Sequence, residues 1–209
     1  MAARVITIAQ QKGGAGKTTL AAQLAIAWAL AGRRLALLDI DPQASLAAWA
    51  ELRRRRLGET LGFEFAALAG WRAGEWVERR AREAEIVIVD SPPHAELETR
   101  IALRAAGLVL VPLQPSPLDL WATAATVRLA REEGRPMLAV LNRVPARSSL
   151  VAGTAAELAR DGVPLAAARL GSRVAFAQAM ARGSGVSETA PAGPAAAEFA
   201  ALAAELDRL

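Results

Sequence analysis

The chain has 209 residues, of which 53 % are hydrophobic and 22 % charged, and its formal net charge is +4. This length suits one substantial hydrophobic core and is short for two. The sequence has no cysteine, which excludes disulfides, thiolate zinc sites and cysteine-ligated iron–sulfur clusters, and its single histidine, His94, argues against a histidine-based metal site or triad. No apolar run is long enough for a transmembrane helix, so we expect a cytoplasmic protein.

Apolar runs that are typical of strands alternate with helical patterns along the chain. The predicted strands are residues 5–9, 35–40, 63–68, 86–89, 108–113, 137–141 and 165–170. The predicted helices are residues 17–31, 44–56, 74–84, 96–106, 119–133, 149–161, 173–181 and 194–209, and residues 183–193 are predicted to be a loop. Several strands are apolar throughout, as in parallel sheets covered on both faces. The order predicts a single α/β domain over residues 1–209, with a mostly parallel, twisted sheet and helices on both faces.

The first predicted strand leads into a glycine-rich loop, residues 10–19, and a helix begins at Lys17 within it. The loop is a variant of the phosphate-binding pattern G-x-x-x-x-G-K-[ST]. The alternative interpretation is a purely structural glycine turn between strand and helix. Backbone N–H groups of such a loop surround a phosphate, and the helix N-terminus adds partial positive charge. We expect Lys17 to bridge the β- and γ-phosphates and the Thr18 hydroxyl to ligate Mg²⁺. The predicted nucleotide-binding residues of the loop are Gly13, Gly14, Ala15, Gly16, Lys17, Thr18 and Thr19.

The positions of the lysines also indicate that this loop binds phosphate. Of the 25 Lys and Arg residues only Lys12 and Lys17 are lysines, and both lie in this one loop. A compact ammonium on a flexible stem fits between phosphate oxygens, whereas a planar guanidinium has the wrong shape. The distribution therefore indicates that both amino groups serve phosphate binding.

Aspartates follow two of the predicted strands at the edge of the sheet that would carry the loop. Asp90 resembles a Walker B aspartate, which holds Mg²⁺ through a water molecule. We expect Asp41 to orient the water that attacks the γ-phosphate, and Asp39 to support the coordination shell of the metal ion. Capping of a helix is the alternative role for each.

Together the loop, the Asp39-x-Asp41-Pro-Gln segment, the segment that starts at Asp90, and residues 114–122 and 140–143 resemble the ParA/MinD family of deviant Walker A ATPases. The likeness covers nearly the whole chain and is greatest to the short ParA-type partition proteins. It implies a P-loop NTPase that uses ATP and Mg²⁺ and forms a face-to-face homodimer with two nucleotides between the subunits. It also implies that Lys12 reaches the partner's ATP and acts in catalysis with Lys17 and Asp41, and that Asn142 recognises adenine.

The same resemblance implies that the ATP-bound dimer binds non-specific DNA of the nucleoid and that an adaptor protein stimulates its weak hydrolysis. Arginines spread over several elements suit contacts to phosphates, although a solvated arginine-rich face is the alternative. The predicted DNA contacts are Arg143, Arg147, Arg169 and Arg173. A denser arginine cluster, residues 53–56, is a second candidate surface.

Two other functions remain open from the sequence. A MinD-like membrane switch would need a basic amphipathic helix, but the charges of residues 198–209 are mostly acidic, so we expect no membrane partner. A metabolic enzyme on the same scaffold would need a second group of polar side chains to bind its substrate. The cargo, whether a plasmid, a chromosome region or a protein cluster, is not decided.

The five tryptophans are assigned by their positions in the predicted elements. Trp28, Trp49 and Trp121 lie within helical patterns and are expected in the core. Trp71 and Trp76 flank the start of a helix and are candidates for a surface that faces a partner.

Overall fold

The structure is a computed structural model that describes residues 3–58, 60–93 and 96–209, so His94 lies outside the described residues. Within this part of the chain the strands are β1 Arg4–Ile8, β2 Leu35–Asp39, β3 Glu64–Ala67, β4 Ile86–Asp90, β5 Leu108–Leu113 and β6 Met137–Leu141. They form one sheet in the order β3-β2-β4-β1-β5-β6. All neighbouring strands are parallel. The predicted parallel sheet is confirmed.

Up to β6 the helices alternate with the strands as the sequence predicts, and four helices follow β6 in the described residues 142–209 without a strand between them. They are α1 Lys17–Leu30, α2 Ser45–Leu57, α3 Ala73–Arg80, α4 Glu96–Ala105, α5 Pro117–Glu132, α6 Leu150–Arg160, α7 Val174–Met180, α8 Val186–Thr189 and α9 Pro194–Asp207, with a 3-10 turn at Gly70–Arg72 before α3. Among the described helices none is long and apolar enough to cross a bilayer.

Both faces of the sheet are buried because its strands are apolar on both sides. In β4, Ile86 and Ile88 pack into the core formed with α1, α2, α7, α8 and α9. Val87 and Val89 point the other way, toward α3 and α4. On that second face α5 and α6 cover β5 and β6. The predicted helices on both faces are confirmed.

The strand order brings the predicted site to one edge. β1 lies between β4 and β5, and the chain first moves to one side of β1 and later crosses to the other. The register places Asp39 beside Asp90, and Asp90 beside Ile8, at the carboxyl ends of their strands. This is the position at which open α/β sheets bind ligands.

The predicted strand 165–170 is wrong. Ala166 and Leu170 each donate a backbone N–H to β6, at Ala139 and Leu141, but the ladder is interrupted between them. The side chain of Glu205 in α9 accepts the N–H groups of Ala167 and Ala168, at 2.8 and 3.0 Å. Because Ala166 donates to β6, the next amide that would pair with β6 is that of Ala168, and the carboxylate binds it instead. The segment therefore makes only an isolated bridge there and not a seventh strand.

Two further expectations differ from the structure. The predicted loop 183–193 contains the short helix α8, whose Val186 N–H donates to Gln23 of α1 at 2.7 Å. Trp28 and Trp49 are buried as expected, but Trp121 is 71 % exposed, so the prediction that it lies in the core is wrong. It lies on the side of α5 that is turned away from the glycine loop.

Candidate nucleotide site

The glycine loop connects β1 to α1 and depends on glycine for its shape. Gly14 and Gly16 have φ values of 76° and 93°, in the left-handed region that disfavours other residues. A Cβ atom on Gly16 would collide with the side-chain amide of Asn142, which follows β6. Gly16 also caps the N-terminus of α1, so the backbone amides at the start of this helix lie in the loop.

Lys17 is buried beneath the loop, with its Nζ donating to the Gln10 carbonyl at 3.1 Å. Burial lowers the pKa of Lys17, and the nearby carboxylates of Asp90 and Asp41 partly offset this effect. The Lys17 ammonium therefore points back across the loop, close to two acidic side chains, in the arrangement expected of a phosphate-binding lysine.

Asp90 is fully buried at the end of β4, and neither of its carboxylate oxygens has a hydrogen-bond partner among the described residues. The Thr18 hydroxyl lies beside it without forming a well-aligned hydrogen bond. Burial raises the pKa of Asp90 to about 8, and Thr18 and Lys17 only partly oppose this shift. A buried carboxylate without a partner is costly unless a further group supplies positive charge.

This donor set fits a hydrated magnesium ion. Mg²⁺ keeps several waters and is commonly held by one or two protein oxygens together with the phosphates of the substrate. The described residues contain no cluster of three His, Cys, Asp or Glu side chains that would hold a metal alone. Thr18 and Asp90 are the residues that would hold it.

Asp39 and Asp41 form the start of the segment that leads into α2. The two carboxylate oxygens of Asp39 accept the N–H groups of Asp41 and Ala47, at 3.0 and 2.9 Å. Burial raises the pKa of Asp39, and these N–H groups oppose the shift. Asp39 thus caps α2, and its support of a metal shell stays a prediction. Asp41 is half-buried and accepts the N–H of Gln43 at 2.9 Å.

Lys12 does not point toward Lys17. Its Nζ pairs with Asp119 at the start of α5, at 2.6 Å. Burial raises the pKa of Asp119, but hydrogen bonds from Lys12, the Ser116 hydroxyl and the Gln114 N–H outweigh it and hold this pKa below its usual value. Asp119 is a site residue that was not predicted from the sequence. The pattern Ser116-Pro-x-Asp119, typical of a helix start, was the available signal.

Asn142 reaches the loop from the end of β6. Its amide Nδ2 donates to the Ala15 carbonyl at 2.8 Å, and its Oδ1 accepts the N–H of Arg143 at 2.9 Å. The side chain therefore fixes the loop from the side of β6. Its recognition of adenine stays a prediction.

The predicted DNA contacts divide into two groups. Arg143, Arg147 and Arg169 are exposed, and none of them has an acidic partner among residues 3–58, 60–93 and 96–209. Arg173 instead forms an ion pair with Glu198 at 2.6 Å, which raises its pKa. Its charge is already compensated within the chain.

The second candidate surface, residues 53–56, is a set of compensated charges. Arg53 is buried and pairs with Glu188 at 2.9 Å, while it also lies over the ring of Trp49. Arg56 contacts the same carboxylate, and Glu51 pairs with the two arginines between them. These contacts argue against the cluster as an open cationic surface.

A parallel sheet with a glycine loop after its central strand, a lysine at the start of the following helix and a buried aspartate on the neighbouring strand defines a P-loop nucleotide-binding fold. The model of the CobQ/CobB/MinD/ParA nucleotide binding domain matches residues 6–186, and the chain belongs to this family. The sequence-based assignment to the ParA/MinD family is confirmed.

Two relatives match nearly the full chain. Maintenance of carboxysome distribution protein A of Gloeobacter kilaueensis is 35 % identical over 98 % of this chain and 94 % of its own. The chromosome-partitioning ATPase Soj of Thermus thermophilus is 31 % identical over 97 % of this chain and 95 % of its own.

Solved structures of the family show the same fold. The cell division ATPase MinD of Pyrococcus furiosus superposes with a TM-score of 0.83 at 21 % identity, over 98 % of both chains. The McdA–ATP complex of Cyanothece gives a TM-score of 0.76 at 16 % identity, over 98 % of this chain and 95 % of that one.

Proposed function

We propose that this chain is a Mg-ATP-dependent switch that dimerises, hydrolyses ATP and positions a cargo on DNA. The observation that carries the proposal is the grouping of two lysines and a buried carboxylate around one phosphate loop, the carboxylate having no hydrogen-bond partner among the described residues. Lys17 and the amides at the start of α1 bind the phosphates. Magnesium, when bound, neutralises charge on the β- and γ-phosphates, with Thr18 and Asp90 as its protein contacts.

In this proposal hydrolysis needs a second copy of the chain. Lys12 leaves Asp119 and reaches the γ-phosphate in the partner, where a second cation stabilises the charge of the transition state as an arginine finger does. Asp41, half-buried beside the site, orients the attacking water. Because Lys12 acts across the interface, hydrolysis and dimerisation are coupled.

We assign the DNA-binding surface to Arg143, Arg147 and Arg169. All three are exposed arginines without an acidic partner among the described residues, which suits contacts to phosphates that carry no sequence information. Arg173 contributes less because Glu198 compensates its charge. The dimer then resides on the nucleoid, and an adaptor protein accelerates its hydrolysis.

The relatives suggest the kind of cargo. The 35 % identical protein is named for carboxysome distribution, and the 31 % identical one for chromosome partitioning. Both matches extend over nearly the full chain, and the greater identity favours a protein compartment as the cargo. A chromosome region is the second choice.

A MinD-like membrane role is less well supported. The apolar residues Phe199, Leu202 and Leu206 of α9 are buried in the core of the chain, so they are not available to a lipid surface. Co-sedimentation with vesicles of anionic lipid should leave the protein in the supernatant with or without Mg-ATP. Retention of the protein on the vesicles would instead support a membrane role.

Hydrolysis by the purified protein tests the proposal directly. We expect slow release of phosphate from Mg-ATP, faster release with double-stranded DNA and the adaptor, and none after removal of magnesium by a chelator. The control is Lys17→Ala, which keeps the fold and loses the activity. Stimulation by a small acid and not by DNA would instead favour a metabolic enzyme.

A further inference from the structure

Gln10 is a buried polar residue at the end of β1 that the proposed function does not use. Only 1 % of it is exposed. Its Nε2 donates to Thr123 Oγ1 at 2.8 Å and to the Pro112 carbonyl at 3.3 Å. Its Oε1 accepts the Thr126 hydroxyl at 3.2 Å and the Lys12 N–H at 3.4 Å. Every hydrogen-bonding position of the amide is therefore occupied.

The directions of these hydrogen bonds are fixed by their partners. The Thr123 hydroxyl donates to the Asp119 carbonyl at 2.7 Å, so it can only accept from Gln10. The Thr126 hydroxyl donates to Gln10 and accepts the Gln11 N–H at 3.1 Å. A rotated amide would place its NH₂ group against the Lys12 N–H, a second donor, and lose that bond.

The partners of Gln10 share one face of α5. Asp119, Thr123 and Thr126 are spaced four and three residues apart, so their side chains point the same way. The same face that holds Gln10 therefore also holds the Lys12 ammonium through Asp119. Thr123 and Thr126 are buried at 2 % and 0 % exposure.

Gln10 is linked to both lysines of the loop. Its side chain binds the backbone N–H of Lys12, and its main-chain carbonyl accepts the Lys17 ammonium. We propose that Gln10, Thr123 and Thr126, which we call the Gln10 network, position Lys12 and Lys17 by fixing the start of the phosphate loop to α5. This inference rests on the proposed function for its catalytic consequence, but the placement of the lysines can be tested without nucleotide.

The test uses Thr126→Val, which keeps the shape of the side chain and removes the hydroxyl, and Thr126→Ser, which restores the hydroxyl. With ¹³C-labelled lysine the protein gives side-chain signals from Lys12 and Lys17 alone, because the chain has no other lysine. Lys12→Ala assigns them. The control is Thr154→Val, a buried threonine of α6 outside the Gln10 network.

We expect Thr126→Val to shift the signal of Lys12 and to lower turnover at saturating Mg-ATP about tenfold, with KM within about threefold of the unmodified chain. Thr126→Ser should restore both readouts, and Thr154→Val should change neither. Thr123→Val, compared with Thr123→Ser, repeats the test if Thr126→Val does not fold.

Lysine signals of Thr126→Val that superimpose on those of the unmodified chain would overturn the inference. So would a Thr126→Ser variant as impaired as Thr126→Val, or an equal change in Thr154→Val, since each would indicate a merely structural role. A chain that hydrolyses no ATP at all would contradict the proposed function instead. The lysine spectra would still decide the inference.

Discussion

At the scale of single residues, the ion pair between Lys12 and Asp119 competes with the proposed use of Lys12 by the partner. We expect Asp119→Asn to lower the protein concentration needed for ATP-dependent dimerisation about thirtyfold, because each of the two chains must otherwise break a partly exposed ion pair that contributes about 1 kcal/mol. Sedimentation velocity at several concentrations measures this. Ser116→Ala, which keeps the ion pair, should dimerise like the unmodified chain. Weaker dimerisation of Asp119→Asn would show that the ion pair supports the dimer.

Asp41 offers a separate test of the chemical step. Asp41→Ala should bind Mg-ATP and accumulate as a dimer, with phosphate release reduced about a hundredfold because the attacking water loses its orienting group. The neighbouring variant Gln43→Ala keeps the Asp41 carboxylate and should turn over normally. Normal phosphate release by Asp41→Ala would exclude the proposed role.

Asp90 gives the protein without nucleotide a pH-dependent stability. Its pKa is about 8 when folded, against an ordinary value of 3.8. Between these values the folded state retains a proton that the unfolded state releases, so the free energy of unfolding falls as pH rises, by up to about 1.4 kcal/mol per pH unit.

We therefore expect the melting temperature to fall from pH 6 to pH 8.5, and Asp90→Asn to reduce this slope. Thermal unfolding in one buffer series measures both proteins. An equal slope in Asp90→Asn would show that Asp90 is not the group responsible.

At the scale of elements, Glu205 of α9 determines the conformation of residues 165–170. Glu205→Ala leaves the N–H groups of Ala167 and Ala168 without their acceptor, and we expect a loss of about 1–3 kcal/mol in the free energy of unfolding. Urea denaturation measures it. Glu157→Ala, which removes an exposed ion pair of α6, should change stability by less than about 1 kcal/mol. Equal effects would rule out this role for Glu205.

The elements that the sequence predicts well are those whose signals are local. Strands β5 and β6 have the predicted bounds because their apolar runs are continuous and are covered on both faces. The segment 165–170 has a similar composition, but Glu205, 38 residues from Ala167, decides its pairing. No pattern within the segment carries that information.

The same difference between local and long-range signals applies to the parts of the site. The phosphate loop is a contiguous motif and was predicted from its residues. The pairing of Lys12 with Asp119 joins positions 107 residues apart, and the hydrogen bond from Gln10 to Thr123 joins positions 113 apart. Such contacts depend on the packing of α5 over β5, next to the start of the loop, and this packing cannot be inferred from a single sequence.

At the scale of the whole molecule, the proposed DNA surface predicts that reversing the charge of its arginines weakens DNA binding. The double variant Arg147→Glu/Arg169→Glu should lose at least about tenfold in ATP-dependent DNA affinity, and its affinity should depend less on salt, because fewer phosphates are neutralised. Nucleotide binding should not change. Fluorescence anisotropy with a labelled duplex at two salt concentrations measures this.

A control places a single charge reversal elsewhere on the chain. Arg79→Glu alters an exposed arginine of α3, which packs over β2 and β4, at the other end of the sheet from β6 and the arginines that follow it. It should leave DNA affinity within about twofold. If Arg79→Glu weakens binding as much as the double variant does, the effect is one of net charge and the assigned surface is wrong.

In the proposed function, ATP joins two copies of the chain through Lys12. Sedimentation of Asp41→Ala with saturating Mg-ATP tests it most directly, because this variant should retain the nucleotide. We predict a species of twice the 21.9 kDa chain mass with Mg-ATP, a monomer with Mg-ADP, and a monomer for Lys12→Ala/Asp41→Ala under both conditions. A monomer of Asp41→Ala with bound Mg-ATP, or a double variant that dimerises equally well, would contradict the account.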